Sequence, residues 1–98
     1  MRNRLEMVLT KEEMARVAFN GENITVDLHG LVPKAAERLV KNIMALDREG
    51  YDICTIHGYN HGTAIKSMIT GNIKNPRLEK KVPVKGNYGR TLLKMQAA

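Results

Sequence analysis

Ninety-eight residues, 43% of them apolar, suffice for one domain with a small core and exclude a disordered chain. No apolar run approaches the roughly 20 residues of a membrane span, the N-terminus lacks a signal-peptide core, and a single cysteine excludes a disulfide framework, so a cytoplasmic protein without a membrane partner is expected. The net charge of +6 is uneven: residues 1–52 hold eight Lys/Arg and nine Asp/Glu, whereas residues 53–98 hold eight Lys/Arg against Glu79 alone. A basic second half suits a polyanion, nucleic acid above all, although a solvated basic surface has the same composition.

Residues 1–9 show no clear period. Thr10-Lys11-Glu12-Glu13 matches a capping box and predicts a short helix over residues 11–18, with Met14, Val17 and Ala18 as its apolar stripe and Asn20-Gly21 as its stop. This forms an N-terminal extension, residues 1–21, ahead of the main domain, residues 22–98.

Residues 24–29 predict the first strand. Alternation puts Ile24, Val26 and Leu28 on one face and Thr25, Asp27 and His29 on the other. Gly30 breaks the strand, and Pro33 suits the first turn of a helix that runs to about Glu49. Val32, Ala36, Leu39, Val40, Ile43 and Leu46 recur on it at helical spacing, and Gly50 closes it.

Residues 53–57 predict a second strand, parallel to the first across a right-handed crossover. Cys54 lies inside this run and is expected to be buried and inert. Residues 58–62 form a turn, and Thr63 is a candidate N-cap for a helix with Ala64, Ile65, Met68 and Ile69 on its apolar face. Residues 78–84, rich in lysine and carrying Pro83, predict an edge strand. Residues 91–95 predict the last strand, with a loose tail behind it. The fold class is therefore α/β, an α+β two-layer sandwich: β-α-β-α-β-β, a four-stranded mixed sheet with both main helices on one face, plus the short N-terminal helix.

Two strands end in His-Gly, His29-Gly30 and His57-Gly58. In an open α/β sheet, ligands bind beyond the carboxyl ends of the parallel strands, so neighbouring strands would bring both histidines to one edge. Asp27, two residues before His29, shares its face and can fix an imidazole tautomer. One imidazole can take the 2′-hydroxyl proton of RNA while another gives one to the leaving 5′-oxygen. Helix N–H groups with Lys66 or Arg90 can stabilise charge on phosphorus, Gly58 and Gly62 allow close backbone approach, and Tyr59 and Tyr88 can stack on bases. Any one of the three histidines taken alone favours the reading of a side chain that only satisfies backbone carbonyls, and the glycines fit tight turns. Asp27, His29, His57 and His61 are also metal-ligand types, but no CxxC or HExxH spacing, P-loop or GxGxxG occurs. No cofactor is evident, and a divalent metal is not indicated.

Asp27-Leu28-His29-Gly30-Leu31 resembles the DLHGL motif that opens the small MutS-related (Smr) domain. Ile56-His57-Gly58-Tyr59-Asn60-His61-Gly62 resembles its second motif, HGxGxG. Asn75-Pro76-Arg77-Leu78 resembles the lead into its third strand, and Gly86-Asn87-Tyr88-Gly89-Arg90-Thr91-Leu92-Leu93 its closing glycine-rich strand. The likeness covers about residues 22–95. It implies a fold like the C-terminal domain of bacterial translation initiation factor three, nucleic-acid binding, and the endonuclease activity of several members, which nick DNA or cut messenger RNA at collided ribosomes. Asp27 and His29 would carry the catalytic Asp-x-His, and His57, Gly58 and Gly62 the second motif. Asn60 departs from the middle glycine, and Ile65-Lys66 comes one residue later than in the larger relatives, departures from the family pattern that imply a loop of its own shape. With no ATPase region, a stand-alone domain is implied.

The expected function is an endonuclease acting on RNA or nicking DNA through Asp27, His29 and His57. Gly58, Tyr59, Asn60, His61, Gly62, Lys66, Tyr88 and Arg90 would contact nucleic acid, with the ribosome as a further candidate partner. The alternative is a nucleic-acid or ribosome binding module without catalysis. Nothing in the sequence speaks to oligomeric state.

Overall fold

A computed structural model describes residues 1–58 and 63–98. The element order is α1 (Arg2–Val8), α2 (Lys11–Met14), β1 (Val17–Asn20), β2 (Asn23–Asp27), α3 (Pro33–Leu46), β3 (Asp52–Ile56), α4 (Thr63–Gly71), β4 (Leu78–Pro83) and β5 (Arg90–Met95). From β2 onward this is the expected β-α-β-α-β-β order. The sheet is mixed and five-stranded, ordered β1-β2-β3-β5-β4, with β2 and β3 parallel and the other pairs antiparallel.

The fifth strand corrects the reading of the N-terminal segment. The capping box is present: Glu13 N donates to Thr10 Oγ1 at 3.1 Å and Thr10 N to Glu13 Oε1 at 2.9 Å. The helix it starts stops at Met14, because the next residues pair with β2. Val17 and Phe19 alternate with exposed Ala18 and Asn20 and pack against the core. Branched and aromatic side chains on a half-buried sheet edge outweigh weak helical periodicity. Gly21-Glu22 is the two-residue hairpin turn between Asn20 and Asn23, with Gly21 at φ 60°. Ahead of it, α1 buries Leu5 in the common core.

Side-chain alternation then sets two faces. Ile24, Val26, Ile53 and Leu93 are wholly buried under Ala36, Leu39, Val40 and Ile43 of α3 and Ile69 of α4. Thr25, Cys54 and Leu92 line the opposite face, half-buried, so Cys54 is not in the core as expected. Val32, expected on the apolar stripe of α3, is the N-cap and 66% exposed. The lysine-bearing β4 lies at the sheet edge, as its composition predicted. No helix among the described residues is long and apolar enough to cross a membrane.

The end of α3 is held by charge rather than by a simple glycine stop. Asp47 caps it, fully buried, with Oδ1 accepting from the N–H groups of Gly50 and Tyr51 at 3.0 Å each. The Arg77 guanidinium donates to the carbonyls of Asp47 and Met44, the latter at 2.8 Å. It thus satisfies orphan carbonyls at the negative end of the helix. Gly50 has φ 79°, and a Cβ there would meet Ala97 N at 2.6 Å. The tail is correspondingly tied down: Gln96 N donates to Arg77 O and Ala98 N to Arg48 O. The expectation of a loose tail is overturned by these two backbone bonds.

Burial raises the Asp47 carboxyl above its ordinary value, while hydrogen bonds from Tyr51 and Gly50 and the Arg77 charge oppose the rise. A raised folded value means that this group favours folding fully below pH 3.8, and that the advantage is lost as pH rises through the raised value. At neutral pH the buried carboxylate is held by the Tyr51 and Gly50 N–H groups and, to a lesser degree, by the Arg77 charge, which also satisfies the carbonyls at the helix end. Arg77→Ala should therefore lower stability by about 2–3 kcal/mol at pH 7. Urea denaturation should show a smaller loss below pH 3.8, where Asp47 is neutral in both states.

Candidate functional site

The carboxyl ends of β2 and β3 lie side by side. Leu28 N donates to Ile56 O at 2.8 Å, extending the parallel pairing one residue past β2, and the Leu28 side chain is wholly buried. That anchor forces the flanking residues Asp27 and His29 out on the other side of the strand. Gly30, at φ 80°, then turns the chain towards α3.

Asp27 and His29 form an exposed pair. His29 Nδ1 lies 2.5 Å from Asp27 Oδ1, and His29 N donates to the same oxygen at 3.1 Å. A carboxylate oxygen accepts, so the ring proton sits on Nδ1. Among the described residues no hydrogen bond engages Nε2, on a side chain that is 69% exposed. A carboxylate oxygen held against Nδ1 fixes the orientation of the ring, a geometry that acid-base chemistry can use.

His57 sits at the same edge, but its ring turns inward and is only 1% exposed. Its Nδ1 donates to Gly58 O at 2.7 Å, and Thr91 Oγ1 donates to its Nε2 at 3.0 Å. Thr55 Oγ1 in turn donates to Thr91 O at 2.7 Å. Both ring nitrogens are thus satisfied inside the protein. The N–H groups of His57 and Gly58 both donate to Gly89 O, at 2.9 and 3.0 Å. Gly58 has φ 76°, a conformation that strains any side chain, and its Cβ position would lie 3.8 Å from His29 Cβ.

The edge therefore joins three segments: Asp27-Leu28-His29, Ile56-His57-Gly58 and Tyr88-Gly89-Arg90. Tyr88 is 81% exposed. Arg90 pairs with Ile56, which pairs with Asp27, so the three occupy one cross-strand row. Lys66 is exposed on α4, and among the described residues no hydrogen bond or ion pair joins it to this edge. Tyr59, Asn60, His61 and Gly62 lie outside the described residues, as does the N-cap position of α4, since that helix starts at Thr63 itself. Among the described residues no three His, Cys, Asp or Glu side chains gather as a metal set.

Two residues at the edge escaped the sequence reading. Arg16 Nη1 donates to the carbonyls of Asp27 and His29, at 3.1 and 3.0 Å, and Arg16 O accepts from Asp27 N at 2.8 Å. It clamps the turn that carries the pair, and it brings a positive charge to it. The helix that the sequence predicts over residues 11–18 contains Arg16, whereas α2 stops at Met14 and frees it to reach this turn. Thr91, the partner of His57, carries no local signal beyond its β propensity.

Compared with protein-family models the chain matches none, and compared with curated proteins it matches none.

The two histidines should part company in a stability assay. His57→Ala leaves a cavity and an unpaired Thr91 hydroxyl, and should cost about 2–4 kcal/mol in urea unfolding. His29→Ala, at an exposed position, should change stability by no more than about 0.5 kcal/mol.

Proposed function

We propose that the protein is an Smr-like nucleic-acid-binding domain that cleaves RNA, with the Asp27–His29 pair as its acid-base machinery. One observation carries this reading: an exposed imidazole held by a carboxylate at the carboxyl end of a parallel strand, with no partner on Nε2 among the described residues. His29 Nε2 takes the proton of a 2′-hydroxyl as that oxygen attacks phosphorus. Asp27 holds the ring and stabilises the imidazolium that forms. The 5′-oxygen leaves and takes its proton from water at this open edge. His57, with both nitrogens engaged, acts as a positioning residue: it fixes the Gly58–Gly89 junction beside His29. Arg16 and Arg90 bring positive charge to the same edge, and Tyr88 offers an exposed ring for a base. The partner class is RNA in the cytoplasm, messenger RNA on the ribosome included.

The sequestered ring of His57 also favours a second reading, a binding module without catalysis, because it leaves His29 as the single open imidazole among the described residues.

The purified protein should be incubated with structured RNA and with supercoiled plasmid, and binding followed separately at low salt. Cleavage that falls about 100-fold or more in both His29→Ala and Asp27→Asn supports the enzyme. Binding without cleavage, steeply weakened by salt, selects the module. Failure to bind any nucleic acid overturns both.

A further inference from the structure

The face of the sheet away from α3 and α4 has a definite pattern. Cross-strand register puts Thr25, Cys54, Leu92 and Val82 in one row across β2, β3, β5 and β4. On one side of it runs the row Asp27–Ile56–Arg90, which includes the catalytic carboxylate. On the other side, Asp52, Lys94 and Lys80 follow each other. The middle row is half-buried and mostly apolar, while the buried residues of the helices all pack on the opposite face.

The charge of this face is positive towards β4 and β5. Residues 78–95 hold five Lys/Arg and one acid, Glu79. Lys94 pairs with Asp52 at 3.2 Å, but Arg90 and Lys80 have no acidic partner among the described residues. The other basic stretch, on α3, is different. There Arg38 pairs with Glu13 at 3.4 Å and Lys41 with Glu37 at 3.2 Å, and the helix lies on the layer away from the Asp27 face.

We infer that this open sheet face is the bed for a single-stranded RNA segment leading into the Asp27–His29 pair. Phosphates lie along Arg90 and Lys80, and bases rest on the Cys54–Leu92–Val82 row. A duplex turns its base faces inward and could use only the charges, whereas an unpaired strand uses both features. The inference rests on the proposed RNA substrate and adds where the strand runs and that it is unpaired.

Cys54, the single cysteine, lies at the centre of the row and reports on it directly. The full chain is mixed with a short 2′-O-methyl single-stranded oligonucleotide, which cannot be cut by 2′-hydroxyl attack. Binding is read by fluorescence anisotropy and Cys54 alkylation by mass spectrometry. Saturating oligonucleotide should slow alkylation about tenfold or more, with the same half-saturation as the anisotropy. Lys80→Glu should weaken binding about tenfold, while Lys34→Glu on α3 leaves it unchanged. Anisotropy binding with Cys54 still reacting at its free rate, or loss of binding in Lys34→Glu but not in Lys80→Glu, overturns the sheet face and leaves the proposed function standing. Absence of any binding overturns the proposed function and this surface together.

Discussion

The parallel pairing of β2 with β3 is the constraint on which the site depends. Parallel neighbours need a crossover, and α3 supplies it. The hydrogen bond from Leu28 N to Ile56 O carries the pairing past the end of β2. Buried Leu28 then fixes the face on which Asp27 and His29 emerge. A slip of one residue would exchange the faces and bury the pair. The register is protected because Ile24, Val26 and Ile53 are all wholly buried on the helix side. At the far end, Asp47 and Arg77 secure the return of α3 to β3.

The same alternation gives the two histidines different work. His29 follows Asp27 by two residues and shares its open face. His57 follows Ile53 and Thr55 by even steps, so its ring enters the core. There it needs partners for both nitrogens, because an unpaired buried polar atom is costly. Gly58 O and Thr91 Oγ1 supply them. Similar strand-His-Gly signatures thus produce one exposed imidazole and one buried strut.

The N-terminal segment belongs to the same structure. β1 adds a strand to the sheet, Leu5 joins the core, and Arg16 reaches the carbonyls on either side of Leu28. Arg4 ties α1 to the end of α3 through Leu46 O and Glu49. The Arg4 guanidinium holds the Glu49 carboxyl below its ordinary range, so this tie is present above pH 4.5 and weakens as pH falls through the depressed value. The exposed setting of Glu49 keeps that contribution small.

Local pattern by itself determined the elements from β2 onward, the edge position of β4, the capping box at Thr10, and the shared face of Asp27 and His29. These follow from period, caps and charge, which act within a few residues. Only the tertiary structure decided the rest. Residues 17–20 became a strand because β2 offered an edge to pair with. The ring of His57 became a strut because Thr91, 34 residues away, meets it in the core. Arg77, in the segment that leads into β4 at Leu78, proved also to be the clamp on α3. Arg16 became part of the candidate site for the same reason. The His57–Thr91 and Arg77–Met44 contacts join residues 34 and 33 positions apart, which no local window contains, whereas β1 and the Arg16 clamp lie close in sequence and were decided by strand pairing over helical period.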